Sequence, residues 1–386
     1  MVERRDLWRL FLLWLAGIDL RLTILALPPV LPLLHRDLEL SEKAVAALTG
    51  LPILIFSMVA LPSSLLIARI GARRALVAGL VLTALGGAFR GIGPSTPMLF
   101  AMTFAMGAGI AIMQPALPSL VSDWFRNAAG LATAVYANGL LIGEALAAAL
   151  TLPVVLPLAG GSWALAFALW SVPVLVSAAL LAAATRHRAE LPARPGRLWW
   201  PDLGSRSTWG LGLLIGGGST VYFGANAFIP DFLHGKGATD LIGPCLTALN
   251  VGQLPSSLLI LLFAKRLTGK RMPLITGGIC CVAASVIFAI GTPLAEVAGA
   301  GAFGLAAAFS LILTLALPPL VAEPGDVPRL AAGMLFVGYL LAFTLPLLSG
   351  VIWDATGSSA SAFLPVLLGT AVQFAGAAVL RPAKPH

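Results

Sequence analysis

Four ionisable residues, Asp19, Arg21, Arg90 and Glu144, lie inside long apolar runs of this chain. At bilayer depth each would cost about 2.5–3.5 kcal/mol or more to insert, so each is a functional candidate. Asp19 and Arg21 sit near the middle of the first run. Two positions apart on a helix, they point roughly 200° apart, so they cannot neutralise each other and each needs its own partner. The Arg21 guanidinium holds its charge at any working pH and presents a planar fork suited to a carboxylate-like or other oxyanion group. That makes it a candidate for solute contact, against the alternative of a structural pair with an acid on another helix. Glu144 stands among alanines, leucines and glycines. Low dielectric disfavours its ionised form, which suits a proton-coupling group. The alternatives for Glu144 are a hydrogen bond between helices or a pair with Arg21 or Arg90. Asp19 is the second proton candidate. Arg90 and Asp231 fall near the outer ends of their runs, where a long side chain such as that of Arg90 reaches water.

The uncharged polar candidates are Gln114, Asn138, Tyr222, Asn226, Asn250, Gln253, Tyr339 and Gln373. Hydrogen bonding within a helix bundle is the ordinary use of each. Tyr222 and Asn226 are four apart and share a helix face, so they could form one wall of a binding site whose other wall carries Arg21. Tyr339 can both stack on a flat solute and donate a hydrogen bond. Gln114 and Asn138 complete the set of expected solute contacts, with Arg90. The four histidines, His35, His187, His234 and His386, lie in loops or the tail, and no Walker, HExxH or GxSxG motif is present. Gly216-Gly217-Gly218 follows no strand, so it does not support a nucleotide loop. The odd cysteine count (Cys245, Cys280, Cys281) supports neither a disulfide framework nor a thiolate metal site, and no cofactor is expected.

The elements that must position these groups follow from composition. Of 386 residues 59% are hydrophobic and 10% charged, against roughly 25% charged in an ordinary soluble domain. A soluble enzyme is excluded. Apolar runs read as spans at 8–34, 44–68, 75–90, 97–121, 130–156, 163–185, 208–233, 241–264, 273–291, 295–322, 330–353 and 360–380. Lys and Arg cluster in alternate connections, among them Arg69, Arg73 and Arg74, the stretch Arg186 to Arg206, and Lys265 to Arg271; the opposite connections hold only Arg36, Lys43 and Lys236. This asymmetry puts both termini in the cytoplasm. The net charge of +8 is then a topology signal and gives no support for nucleic acid. A six-span half at 1–185, a cytoplasmic linker at 186–207 and a second half at 208–386 are expected, in a chain acting as a monomer in the plasma (inner) membrane. The halves echo each other: Leu61-Pro62-Ser63-Ser64-Leu65-Leu66-Ile67 recurs at 254–260, and Gly161-Ser162…Ala166-Phe167 recurs at 357–363. Six spans per half give parallel repeats.

The 6 + 6 layout with a basic middle loop resembles the major facilitator superfamily. Its signature after the second span, G-x-x-x-D-R-x-G-R-[RK], is met here by Arg69 and Gly71, with Ser64 and Ala68 in place of the Gly and Asp, and Ala72, Arg73 and Arg74 at the basic end. The resemblance makes Arg69, Gly71, Arg73 and Arg74 the conformational loop. Further pieces are similar to the cyanate and 2-nitroimidazole transporter group: Asp19-Leu20-Arg21 (that group usually has Asn-Leu-Arg), Ser41, Leu51-Pro52, Arg90, Pro118, Trp124-Phe125, Tyr222, Pro230, Gly338-Tyr339 and Asp354-x-x-Gly357. The resemblance implies an all-α fold of twelve transmembrane helices and a small anion or flat heterocycle as solute. It also strengthens Arg90 as a solute contact.

The expected function is secondary transport by alternating access, coupled to a proton through Glu144 or Asp19, with small molecule, proton and lipid bilayer as partners. A broad-specificity drug exporter is the alternative within transport, but 8% aromatic residues do not favour it. A non-transporting sensor is the alternative from another class, and the chain has no room for a signalling domain. An enzyme is not expected, since intramembrane chemistry would need a nucleophile–base pair or metal ligands at membrane depth and the expected spans contain no histidine. With both termini inside, a single cysteine at Ser41 in a Cys-free protein should label from outside with an impermeant maleimide, and one at Ser205 should not. The reverse pattern would overturn this topology.

Overall fold

In the computed structural model, residues 4–40, 42–93, 95–184, 200–323, 325–356 and 364–379 are described. Ser41, residues 185–199 of the linker region, the 357–363 echo with Gly357, Arg381 and Lys384, and the side chains of Arg4, Arg5, Lys43, Asp231, Trp353 and Asp354, lie outside the described residues. Helix is the fold's only regular element among them. An apolar chain in lipid has no water for its backbone N–H and C=O groups, and a helix satisfies them within one segment. Eleven segments are long and apolar enough to cross a membrane: α1 (Asp6–Leu38), α2 (Ala47–Ile70), α3 (Ala72–Phe89), α4 (Thr96–Trp124), α5 (Arg126–Leu158), α6 (Trp163–Ala183), α7 (Arg206–Gly235), α8 (Thr239–Leu267), α9 (Arg271–Ala289), α10 (Pro293–Val321) and α11 (Val327–Ile352). The twelfth, α12 (Leu364–Val379), is a shorter apolar helix. These match the twelve expected spans to within a few residues.

Inside several spans the helix is interrupted where the sequence denies it a hydrogen bond. In α1 a helix Arg4–Leu25 stops at Ala26 and a second runs Leu27–Leu38, because Pro28 and Pro29 bring no N–H and their rings crowd the preceding carbonyls. In α5 the turn Thr151–Val155, which contains Pro153, widens to a π-helix. The Thr151 hydroxyl there bonds back to the Ala147 carbonyl at 2.5 Å and accepts from Trp170 Nε1 at 2.9 Å. The connection between α2 and α3 is Gly71 alone. Its N–H bonds to the Ile67 carbonyl at 2.9 Å and its carbonyl accepts from Ala75 N–H at 3.0 Å, so one residue closes one helix and opens the next. Its φ of 85° and ψ of 155° belong to a region open essentially to glycine.

By contacts the chain divides into two compact units. One is Met1–Asn127 with Val135–Pro201 and Pro324–Ala332; the other is Ala128–Ala134 with Asp202–Glu323 and Gly333–His386. Each repeats the same local devices. In the first, Ser63 Oγ donates to the Val59 carbonyl at 2.6 Å and reaches the Ala111 carbonyl of α4 at 3.3 Å. In the second, Ser256 Oγ donates to the Leu305 carbonyl of α10 at 2.6 Å. The following serines, Ser64 and Ser257, bond back to the Leu61 and Leu254 carbonyls, both at 2.9 Å. The repeated Leu-Pro-Ser-Ser motif therefore ties the second span of each six to the fourth. Close helix approach is shared too. Gly17 abuts the Tyr136 carbonyl, and Gly139 and Gly143 abut the Trp14 and Ile18 carbonyls, locking α1 to α5. Gly338 of α11 abuts Ile215 and Gly216 of α7. Small residues allow such approach where lipid gives helices no hydrophobic reason to associate.

Gly71→Val should lower the thermal stability of the detergent-purified protein by about 1–3 kcal/mol. Gly50→Ala is the control, since Gly50 is helical with open space at its Cβ position, and it should be neutral or slightly stabilising. Equal effects of the two would contradict a conformational role for Gly71.

Candidate substrate and coupling site

The break in α1 decides the arrangement of charges in the first unit. A helix ending at Leu25 leaves its last carbonyls without intrahelical partners. One of them, that of Thr23, accepts a hydrogen bond of 2.7 Å from Arg90 Nη2. A cation at a helix C-terminus is also favoured by the helix dipole. Arg90 is 1% exposed, and its guanidinium lies over the Phe167 ring of α6, 3.9 Å from the centroid, a cation–π contact that strengthens when desolvated. Its Nε and Nη1 are buried without hydrogen-bond partners.

Asp19, one turn before Thr23 on the same face, is 1% exposed. Ser177 of α6 hydrogen-bonds its carboxyl, and its Oδ2 is buried without a partner. Arg21 is 9% exposed and has no hydrogen-bond or ion-pair partner among the described residues. The two are thus not paired, as their angular separation on the helix requires. Glu144 is buried at 6% exposure. The contact of Gly143 with the Ile18 carbonyl sets it at the level of Ile18 and Asp19. Asn138 accepts from Trp14 Nε1 at 3.1 Å, which places it in the α1–α5 seam. Gln114 is half-buried on α4 between buried Met113 and Pro115.

In the second unit the Tyr222 hydroxyl donates to Asn250 Oδ1 at 2.8 Å, and Gln253 Nε2 donates to the same oxygen at 3.4 Å. Asn226 Nδ2 donates to the Tyr222 carbonyl at 2.9 Å. Four polar residues of α7 and α8 therefore form one partly buried, uncharged, hydrogen-bonding group. Tyr339 is buried on α11 beside Gly338, at the α7 contact. A small apolar pocket in this unit is lined by Phe228, Phe232, Phe288 and Phe303 with Ala225, Ile229 and Val366. In the loop after α2, Arg69 and Arg74 are exposed and Arg73 half-buried around Gly71.

Sequence reasoning passed over one ion pair. Glu296, in the first turn of α10, is 2% exposed and pairs with Lys236 at 3.0 Å; the Lys236 side chain is 40% exposed and lies 4.7 Å from the Phe232 ring centroid. Each was visible as a charge at a span end, but nothing in the spacing couples residues 60 apart. Thr23, Phe167 and Ser177 were likewise unremarkable as letters.

A polytopic helical bundle with buried charges and amides in its spans has the build of a membrane carrier. The family profile described as Major Facilitator Superfamily matches residues 10–317, and this chain belongs to that family, whose members are transporters. The transporter YycB of Bacillus subtilis (strain 168) is 29% identical over 356 residues, 88% of this chain and 85% of its own. The cyanate transport protein CynX of Escherichia coli (strain K12) is 27% identical over 357 residues, 90% and 91% of the two chains. The 2-nitroimidazole transporter of the same strain is 27% identical over 347 residues, 88% and 86%. Among solved structures, the human organic anion transporter MFSD10 (TETRAN) superposes with a TM-score of 0.73 at 16% identity, over 98% of this chain and 100% of that one. FucP in the outward conformation gives 0.72 at 14% identity, over 96% and 98%. The expected fold and family resemblance both hold.

Removing Lys236 strands a buried carboxylate, whereas removing Glu296 leaves an ammonium that can turn to water. Lys236→Met should therefore cost about 2–3 kcal/mol of stability and Glu296→Gln about 1 kcal/mol. Thermal unfolding of the two variants reads the difference, and a larger loss in Glu296→Gln would contradict it.

Proposed function

We propose that this chain is a proton-coupled secondary carrier of a small polar solute, either a small anion or a flat heterocycle, working by alternating access in the inner membrane with both termini in the cytoplasm. The observation that carries the reading is Arg21, a buried guanidinium in mid-span with no partner among the described residues. A permanent charge kept at that depth is best explained by a ligand that answers it. The planar fork suits an oxygen-rich or anionic group. The similarity to a cyanate transport protein and a 2-nitroimidazole transporter supports both solute classes.

In this reading Arg21 holds the negative or oxygen-bearing end of the solute. The Tyr222–Asn226–Asn250–Gln253 group and Tyr339 supply hydrogen bonds and an aromatic face, and Gln114 and Asn138 shape the first half's contribution. Glu144 exchanges the coupling proton, with Asp19 as the second carboxyl at the same level of α1. The loop of Arg69, Gly71, Arg73 and Arg74 serves the conformational change.

Counterflow in proteoliposomes with labelled cyanate and 2-nitroimidazole tests transport and solute together. Arg21→Gln should weaken binding roughly ten- to hundredfold, the worth of a hydrogen bond to a charged group, and Arg21→Lys should also impair it because an ammonium lacks the planar fork. Unchanged affinity in a folded Arg21→Gln protein makes Arg21 structural. Glu144→Gln mimics the protonated form, so it should abolish accumulation driven by a pH gradient and spare solute exchange. If Glu144→Gln still accumulates solute while Asp19→Asn does not, the coupling site is Asp19; if both accumulate it, the proton reading falls.

A further inference from the structure

We infer that the connection between α8 and α9 is a binding surface for an anionic phospholipid, with Lys265, Arg266, Lys270 and Arg271 on its headgroup and the apolar helix faces beside them on its chains. The solute site and the coupling proton play no part in this. All four cations are exposed, and none has a hydrogen-bond or ion-pair partner among the described residues. Between Asp240 and Glu296, which stand at the opposite ends of their spans, the sequence holds no Asp or Glu to answer them. Leu320 of α10 lies against Gly269, yet Glu323 just beyond it forms no ion pair with the four. Like charges this close repel one another unless an anion comes between them.

The backbone fixes the four cations in one place. At the end of α8 the Thr268 N–H and Oγ1 both donate to the Ala264 carbonyl, at 2.9 and 2.6 Å. Gly269, at φ 75°, then turns the chain, and α9 starts at Arg271. Lys265 and Arg266, in the last turn of α8, meet a favourable helix dipole, so the helix itself accounts for them. Lys270 and Arg271 have no such account. They stand at the start of α9, where the dipole repels a cation and the first turn holds no acidic residue. The first unit shows the contrast: in its own connection between the second and third spans, Arg73 and Arg74 both have partners. That copy spends its basic end within the protein, and the copy in the second unit leaves it open.

What surrounds the cations selects a lipid over a soluble anion. Leu262, three residues before Lys265, is 77% exposed, and Met272, next to Arg271, is 69% exposed. Leu258 continues the first face one turn deeper and Ile279 continues the second two turns deeper, both exposed. These faces belong to membrane spans, so hydrocarbon chains cover them. Charge at the span ends and apolar surface directly beneath it follow the order in which a phospholipid carries its phosphate and its chains. Basic clusters at the ends of spans recognise anionic headgroups in this way. A free phosphate would answer the charges alone.

Native mass spectrometry of the detergent-purified protein, with phosphatidylglycerol or phosphatidylcholine added at equal concentration, tests this. The unmodified protein should hold phosphatidylglycerol in clear preference, and raising ammonium acetate from about 0.1 to about 1 M should erase the preference by screening. A Lys or Arg at a lipid surface is worth about fivefold in binding, so Lys270→Gln with Arg271→Gln should weaken phosphatidylglycerol binding about 25-fold. Replacing all four cations by Gln should bring it to the level of phosphatidylcholine. The control is Arg126→Gln with Arg206→Gln, which removes two exposed cations elsewhere and should leave binding within about twofold, since neither charge belongs to the cluster. Equal losses in the two double variants would mean that overall charge draws the lipid, and would overturn the inference. Displacement of the lipid by excess glycerol 3-phosphate would make the cluster a site for soluble anions and overturn it too. The salt series needs no variant, and a preference that ignores salt sinks the inference by itself.

Discussion

The carbonyls released where α1 breaks at Ala26 must be satisfied inside the protein, and that requirement organises the part of the first unit around the break. Pro28 and Pro29 make the break unavoidable. A backbone group left unsatisfied in lipid costs several kcal/mol, so the break needs a partner. Arg90 supplies the donor from α3, Phe167 of α6 supplies the surface that a desolvated guanidinium needs, and Gly87 lets α3 come close enough for both. Three helices are fixed against one another by the consequences of two adjacent prolines. Longer, regular helices would have needed no buried arginine there.

The two units share a scaffold but divide their chemistry. The ties from Ser63 to Ala111 and from Ser256 to Leu305 are the same bond in two copies, which argues for duplication more strongly than the letters do, because an apolar alphabet repeats by chance and a hydrogen bond between corresponding helices does not. On that common frame the mid-span charges, Asp19, Arg21 and Glu144, are all in the first unit. The second offers amides and a phenol, Tyr222, Asn226, Asn250 and Gln253. Its ion pair, exposed Lys236 with buried Glu296, lies at span ends instead. The mid-span charges thus sit with one copy and the neutral hydrogen-bonding group with the other.

The spans were legible because continuous apolar runs leave the backbone little choice but helix. The buried charges were legible because they are rare there. Partners were not, since a hydrogen bond between α1 and α3 joins residues 67 apart and no periodicity encodes it. Arg90 shows the limit well. Its position near the end of a span suggested a side chain reaching for water or solute, yet the fold buries it and spends one of its donors on a carbonyl. Pro28 and Pro29 deny a donor to the Ile24 and Leu25 carbonyls, so a break could be read from sequence; that Arg90 would answer the neighbouring Thr23 carbonyl could not. Asn138 is similar, an amide that reads as a contact for solute and is met here by Trp14.

The two buried arginines of the first unit also separate by the kind of satisfaction each receives. Arg90 has a carbonyl, an aromatic face and near-complete burial, and removing it would unsettle helices before it affected any ligand. Arg21, also buried, has neither a carbonyl nor an aromatic face to meet it among the described residues, yet lies in mid-span, where an unanswered charge is hardest to retain. A side chain that the fold itself does not use, at a depth where keeping it is costly, is the observation on which the proposed solute contact rests. The carboxyls of the same unit are placed differently: Asp19 is engaged by Ser177, and Glu144 lies against the seam where α5 meets α1.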